Sequence, residues 1–167
     1  GYTDLQEQVI YNQTNNIRRA VELISEGLEK GTNQKDLKWN CETWYCVEQF
    51  LKAATKEEKK TFFDLVKKNS IGLSANYLNF NDCEYLTEKI HDMQEVCAKE
   101  GITVKTAMFA DINGISMGQR DAMLANGVEF LYTNIHTHHG MYPLYQNQKP
   151  YFWENEDGKR LLVWSGE

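Results

Sequence analysis

The segment ITVKTAMFADINGIS (residues 102–116) carries nine mostly apolar residues into an aspartate, then a glycine and a serine. An apolar run of this length without polar alternation reads as a strand covered on both faces, as in a parallel sheet. Ser116 with Gln119 is a capping-box pattern, so a short helix follows at once, and Gly127 is placed to end it. Strand, turn and helix in that order form the unit of a βαβ crossover. Asp111 stands at the joint. A charge is costly to bury, so a carboxylate there calls for a cation, a set of N–H donors or a chemical task. It can also serve as a turn former or helix cap. Ser116 already fills the cap position, which weakens that second reading.

The same grammar extends in both directions. Residues 3–30 carry a helical stripe of Leu5, Val9, Ile17, Val21, Ile24 and Leu28, with Thr3 and Gln6 as a capping box and Gly31 as terminator. LKWN (37–40) is a short strand, followed by a helix from about Thr43 to Ala54. Thr55 with Glu58 opens a further helix that reaches Lys68, and SIGLSAN (70–76) is the next strand. Asn81 with Glu84 caps a helix whose stripe is Leu86, Ile90, Met93 and Cys97, closed by Gly101. VEFLYTNI (128–135) is a fourth strand, and PYFWENEDGKRLLVW ends the chain as a hairpin turning at Asp157-Gly158. Four parallel strands are therefore expected over residues 36–135, with no linker dividing the chain, so residues 1–167 read as one domain.

Composition narrows the function classes. A length of 167 residues supports a real core but is small for a complete enzyme barrel. The chain starts at Gly1 without Met and stops at WSGE in a strand, so it reads as an excerpt from a longer protein. A formal charge of −6 speaks against a nucleic-acid platform, which needs a basic stripe. TKEEKK (55–60) mixes signs at helical spacing and reads as a solvated face. No apolar run is long enough to span a bilayer, and the acidic amino terminus is unlike a signal peptide. Cys41, Cys46, Cys83 and Cys97 form no CxxC pair and read as reduced, mostly buried thiols, which favours the cytoplasm.

In a parallel α/β sheet, the carboxyl ends of the strands form the functional edge. That rim collects Asn40, Cys41 and Glu42; Asn76 and Tyr77; Asp111 and Asn113; and His136, His138 and His139. Each has a plainer alternative. The NIHTHHG segment (134–140) is either a metal cluster or a polar loop. Glu42 either joins Asp111 as a second carboxylate or opens the next helix as a dipole-favoured acid. Trp39, Trp44, Trp153 and Trp164 either stack on sugar rings or pack the core. Cys41 has no histidine nearby in sequence to activate it, so it reads as a buried thiol and not a nucleophile.

In combination these motifs resemble the glycoside hydrolase family 38 α-mannosidases and their bacterial relatives. GYTDLQEQVIYN is similar to the start of the family's first helix, where a Gly-aromatic pair, here Gly1-Tyr2, follows a His-x-Asp motif. KWNCETW (38–44) resembles the second-strand segment with a Trp shortly before a Glu. FADINGIS (109–116) resembles the strand followed by Asp-Pro-Phe-Gly-His-Ser, matching Asp111, Gly114 and Ser116; PYFWENEDGKRLLVWSGE resembles the later hairpin. The chain departs from the pattern at Ile112-Asn113, in place of Pro-Phe, and at Ile115, in place of His.

The resemblance implies an α/β fold that is part of an irregular seven-stranded parallel β/α barrel, with its first strand missing and a C-terminal β-hairpin. It implies retaining hydrolysis of α-mannosides or related α-glycosides by a zinc-dependent enzyme, with Asp111 as both nucleophile and zinc ligand. Retaining chemistry needs a second carboxylic acid about 5–5.5 Å from the nucleophile. The family supplies it from a later segment, beyond Glu167. Tyr2, Trp39, Glu42, Asn113, His136 and His139 are the expected contacts to the carbohydrate substrate. The chain alone is expected to be inactive and to bind zinc weakly or not at all, since two ligands would precede Gly1 and one would follow Glu167. An exposed sheet edge is expected where the first strand is missing, through which copies can associate. The competing readings are a metal-dependent carbohydrate deacetylase and a non-catalytic carbohydrate-binding module.

Overall fold

The computed structural model describes residues 5–79, 83–112, 114–134 and 148–166. They form a mixed α/β chain that divides into two compact units, residues 1–73 and 74–167.

The first unit holds α1 (Gln6–Lys30), a 3-10 turn (Asn33–Asp36), β1 (Trp39–Cys41), α2 (Trp44–Ala53), α3 (Lys56–Lys67) and β2 (Ile71–Leu73). The two strands pair in parallel, Asn40 opposite Gly72. α1 starts after Leu5, which gives no side-chain cap; Thr3 of the expected capping box lies outside the described residues. Gly31 ends the helix as expected, left-handed at φ 66°, with its N–H on the Gly27 carbonyl. The buried stripe differs from the apolar one. Leu5 and Leu28 point to solvent, and Thr14, Ile17, Ala20, Val21, Ile24 and Gly27 face inward.

Gly27 explains the difference. A Cβ built there would overlap the backbone of Gln34 and Lys35, so the 3-10 turn lies directly on the helix because position 27 has no side chain. The core is completed by Trp44, Val47 and Phe50 of α2 and Phe62, Phe63, Leu65 and Val66 of α3. The Phe50 and Phe62 rings meet at 5.1 Å in a tilted pair. Thr55 and Glu58 form the expected capping box at the start of α3. Glu58 also accepts a 2.9 Å hydrogen bond from Arg18 Nε of α1. The Thr55 backbone N–H first, and Arg18 second, hold its carboxyl below the usual range.

The second unit holds α4 (Cys83–Lys99), β3 (Thr106–Phe109), α5 (Met117–Ala125), β4 (Phe130–Asn134), β5 (Pro150–Glu154) and β6 (Arg160–Gly166). Its sheet runs β3-β4-β6-β5. The first two pairings are parallel and the β5–β6 hairpin is antiparallel. Leu86, Ile90, Met93 and Cys97 are buried, as their spacing predicts. Asn81, the expected cap of α4, lies outside the described residues. Gly158 takes φ 76° at the hairpin turn, and Asn155 Oδ1 accepts from the N–H groups of Asp157 and Lys159.

The strand expected over 102–110 is shortened to Thr106–Phe109. The cause is Gln94 of α4. Its Oε1 accepts from Val104 N at 3.2 Å, and its Nε2 donates to Val104 O at 2.7 Å and to Asn126 O at 3.0 Å. One amide therefore takes both backbone groups of buried Val104 before a ladder forms, and ties the α5 terminus to the same point.

Two stability predictions follow from these contacts. Gly27→Ala gains about 1 kcal/mol of helix propensity, yet it forces apart two backbones, which costs about 1–3 kcal/mol. Backbone cannot swing aside as a side chain can, so the variant should unfold at lower temperature than the parent by calorimetry. A higher melting temperature would place the 3-10 turn elsewhere. Gln94→Ala strands the N–H and C=O of Val104 and should cost about 2 kcal/mol in denaturant unfolding. Gln94→Glu keeps the acceptor, loses the donor, and should fall between the two.

Candidate functional site

Of the expected rim residues, Asn40, Cys41 and Glu42 belong to the first unit, and Asn76, Tyr77 and Asp111 to the second. In the second unit, β3 delivers Asp111. Phe109 is 1% exposed and anchors the strand end in the core. Ser74 Oγ accepts from Met108 N at 2.9 Å, and Asn76 Nδ2 donates to Met108 O at 3.1 Å. Ala75 N bonds Thr106 O at 2.9 Å, and Asn79 Nδ2 reaches Ala110 O at 3.5 Å. Residues 74–79 thus occupy the outer edge of β3, chiefly with side chains. Asn76 is therefore a buried brace and not an open rim residue. Tyr77 is buried too, edge-on to Tyr85 at 5.6 Å and with Lys89 Nζ 5.4 Å from its ring centre.

Directly beyond this braced strand, Asp111 is exposed and takes φ 63°, the left-handed region. Few residues other than glycine, asparagine and aspartate adopt it cheaply. Gly114 follows at φ 123°. Ser116 Oγ accepts from Gln119 N at 3.1 Å and caps α5, so the cap is Ser116, as its position predicts, and not Asp111. The sharp turn separates the end of β3 from the start of α5 and leaves Asp111 exposed.

In the first unit, Trp39 and Glu42 are neighbours. They line a groove of about 430 Å³ with Asn40, Cys41, Thr43 and Cys46, closed on the other side by Gln13, Asn16 and Ile17 of α1. Burial pushes the Cys41 thiol up to about 12, nearby Cys46 adds to the effect, and a hydrogen bond with the Trp39 side chain opposes it. Cys46 is likewise raised by burial, partly offset by the Thr43 hydroxyl, which donates to its Sγ at 3.2 Å. Both are thiols at neutral pH, so neither is a ready nucleophile. That agrees with the reading of Cys41 as a structural residue.

Tyr2, Asn113, His136, His138 and His139 lie outside the described residues. Among the described residues, no three of His, Cys, Asp or Glu come together as a metal site. A feature missed in the sequence is the outer face of the second unit's sheet, where Tyr132, Asn134, Trp164 and Gly166 are neighbours. Its signal was present: alternate residues of VEFLYTNI and of LLVWSG share one face, but only the pairing sets them side by side.

No protein-family model matches the sequence, and no curated protein does either. Solved structures do match. An α-mannosidase from Enterococcus faecalis V583 superposes with a TM-score of 0.61 at 14% identity, covering 90% of this chain and 18% of that one. A 4-α-glucanotransferase from Thermococcus litoralis superposes with a TM-score of 0.61 at 14% identity, covering 97% of this chain and 25% of that one. The chain thus spans about a fifth to a quarter of these structures. No described helix is long and apolar enough to cross a membrane. At this identity the likeness is one of fold: the chain is built like part of these two carbohydrate-acting enzymes.

Proposed function

We propose that this chain belongs to an enzyme that cleaves or transfers α-glycosidic bonds by a retaining mechanism, with Asp111 as the nucleophile. The observation that carries the reading is Asp111 itself. It is an exposed carboxylate in a left-handed turn at the end of a braced parallel strand, with the helix cap supplied by another residue. Two neighbours in fold, named for α-mannoside and α-glucan chemistry, support it. The barrel implied by the resemblance to family 38 belongs to the same proposal, as does a carbohydrate substrate.

In this mechanism a carboxylate oxygen of Asp111 attacks the anomeric carbon while a carboxylic acid protonates the departing glycosidic oxygen. The C–O bond to the leaving group breaks and a glycosyl ester forms. Water, activated by the same acid now acting as base, then releases the sugar with its configuration retained. A sugar hydroxyl in place of water gives transfer, so one nucleophile serves both chemistries. Glu42 and Trp39, in the groove of the first unit, are assigned to carbohydrate contact and not to bond cleavage. Zinc is part of the reading through Asp111, but among the described residues nothing joins Asp111 in a three-ligand set, and the nucleophilic role stands on the carboxylate alone.

The test uses the whole enzyme containing this chain, with aryl α-mannosides and α-glucosides as substrates. Asp111→Asn should lower turnover by about four orders of magnitude, because an amide cannot attack the anomeric carbon. It should fold normally, since asparagine also accepts φ 63°. Asp111→Gly should be equally inactive and should keep the turn, because glycine suits a positive φ best. A fluorosugar that accumulates the glycosyl ester should label the peptide carrying Asp111. Retained activity in both variants would end the nucleophile assignment. Glu42→Gln should cost far less than either.

A further inference from the structure

The geometry points to a second carbohydrate contact in the same unit: a pyranose-binding notch on the outer face of β4 and β6, formed by Trp164, Tyr132 and Asn134 around Gly166. It rests on the carbohydrate reading above but involves none of the residues assigned there. Tyr132 and Trp164 are direct partners in the parallel β4–β6 ladder, and Asn134 is level with Gly166. Both rings are open to solvent, Tyr132 at 37% and Trp164 at 43%, on a face where Phe130 is also exposed. A row of exposed aromatics needs an occupant, since single exposed apolar residues are ordinary but a contiguous patch is not.

What selects a sugar over a purely apolar partner is the cluster of polar atoms at the upper end of the row. Asn134 Oδ1, Trp164 Nε1 and Tyr132 OH lie 3.7, 3.8 and 3.9 Å from the place a Cβ on Gly166 would occupy. Asn134 Oδ1 is buried and accepts no hydrogen bond among the described residues. An unpaired buried carbonyl oxygen is costly, and a hydroxyl donor would relieve it. Trp164 Nε1 is a donor and Tyr132 OH can both donate and accept. An apolar ring wall with a few convergent polar atoms is the general form of a small-ligand site, and a pyranose offers the complement: C–H groups on its faces and hydroxyls at its rim. The missing side chain at position 166 leaves the room.

The location fits a run of sugar units reaching Asp111. Gly166 and Asn134 stand one residue past the row formed by Phe109, Thr133 and Ser165. β3 and β6 flank β4, so the strands carrying Asp111 and Trp164 are two ladder spacings apart, roughly 10 Å. The notch therefore opens at the same sheet edge as the nucleophile and would hold a neighbouring sugar of the chain being cut.

Titration of the ¹⁵N-labelled chain with methyl α-mannopyranoside, methyl α-glucopyranoside and maltotriose, read at the Trp indole N–H signals, tests this. The Trp164 indole should shift saturably with at least one of these sugars. Trp164→Ala should weaken binding roughly tenfold, the scale of one aromatic contact. Gly166→Ala is the sharper variant. Its methyl meets its neighbours at ordinary contact distance, so the fold should be kept, yet it fills the notch and should abolish the shift. Asp111→Asn should leave the shift intact. Turnover by the whole enzyme without any sugar response at Trp164 would overturn the notch and spare the nucleophile. A response without turnover would do the reverse. A response unchanged in Gly166→Ala, or a Trp164 indole that solvent quenchers cannot reach in the whole enzyme because further chain covers it, would also overturn the notch.

Discussion

An edge strand leaves a row of backbone donors and acceptors without a ladder, and the second unit is organised around satisfying that row on β3. Its inner side pairs with β4. Its outer side is met by Ser74 Oγ and Asn76 Nδ2 on Met108, Ala75 N on Thr106 and Asn79 Nδ2 on Ala110. Buried backbone groups must be paired, and among the described residues three side chains and one backbone N–H do the pairing on that side. The result is a short strand held from both edges and anchored by Phe109. A catalytic carboxylate needs a fixed position more than it needs a deep one. In the role proposed for it, Asp111 has the first without the second.

The same economy of polar side chains recurs lower in the unit, where Gln94 takes both backbone groups of Val104 and a carbonyl at the end of α5. In the first unit the comparable device is an absence. Gly27 lets a 3-10 turn lie against α1 where any side chain would hold it off. Glu58 adds a polar join, closing its own helix cap and accepting from Arg18. That pair is partly exposed, so solvent screening keeps its own contribution small. Its use is to orient α3 against α1 while the phenylalanines supply the burial.

The functional features follow from strand direction. Parallel pairing of β3, β4 and β6 brings their carboxyl ends to one edge, which is why the proposed nucleophile and the proposed sugar notch fall on the same side of the sheet. Side-chain alternation then sorts the residues. Leu131 and Val163 go into the core, while Tyr132 and Trp164 face outward. A one-residue slip of β6 would bury Trp164 and expose Val163, so the register of that hairpin decides which face is core and which is surface.

Much of this was legible in the sequence because it depends on residues a few positions apart. The Thr55–Glu58 box, the Ser116 cap, the Gly31 terminator, the buried α4 stripe and the Asp157-Gly158 turn all rest on local spacing. So did the position of Asp111 at a strand end. Tertiary structure alone decided the rest. Strand β3 begins at Thr106 because Gln94, on the preceding helix, claims Val104. Gly27 is buried because residues 34 and 35 fold back onto it, and Asn76 and Tyr77 are packed away because β3 and α4 need them. The left-handed turn at Asp111 and the cluster around Gly166 depend on which strands become neighbours. Local pattern specifies what a segment can form, whereas the partner of each backbone group and the neighbour of each face are set by contacts between separate segments.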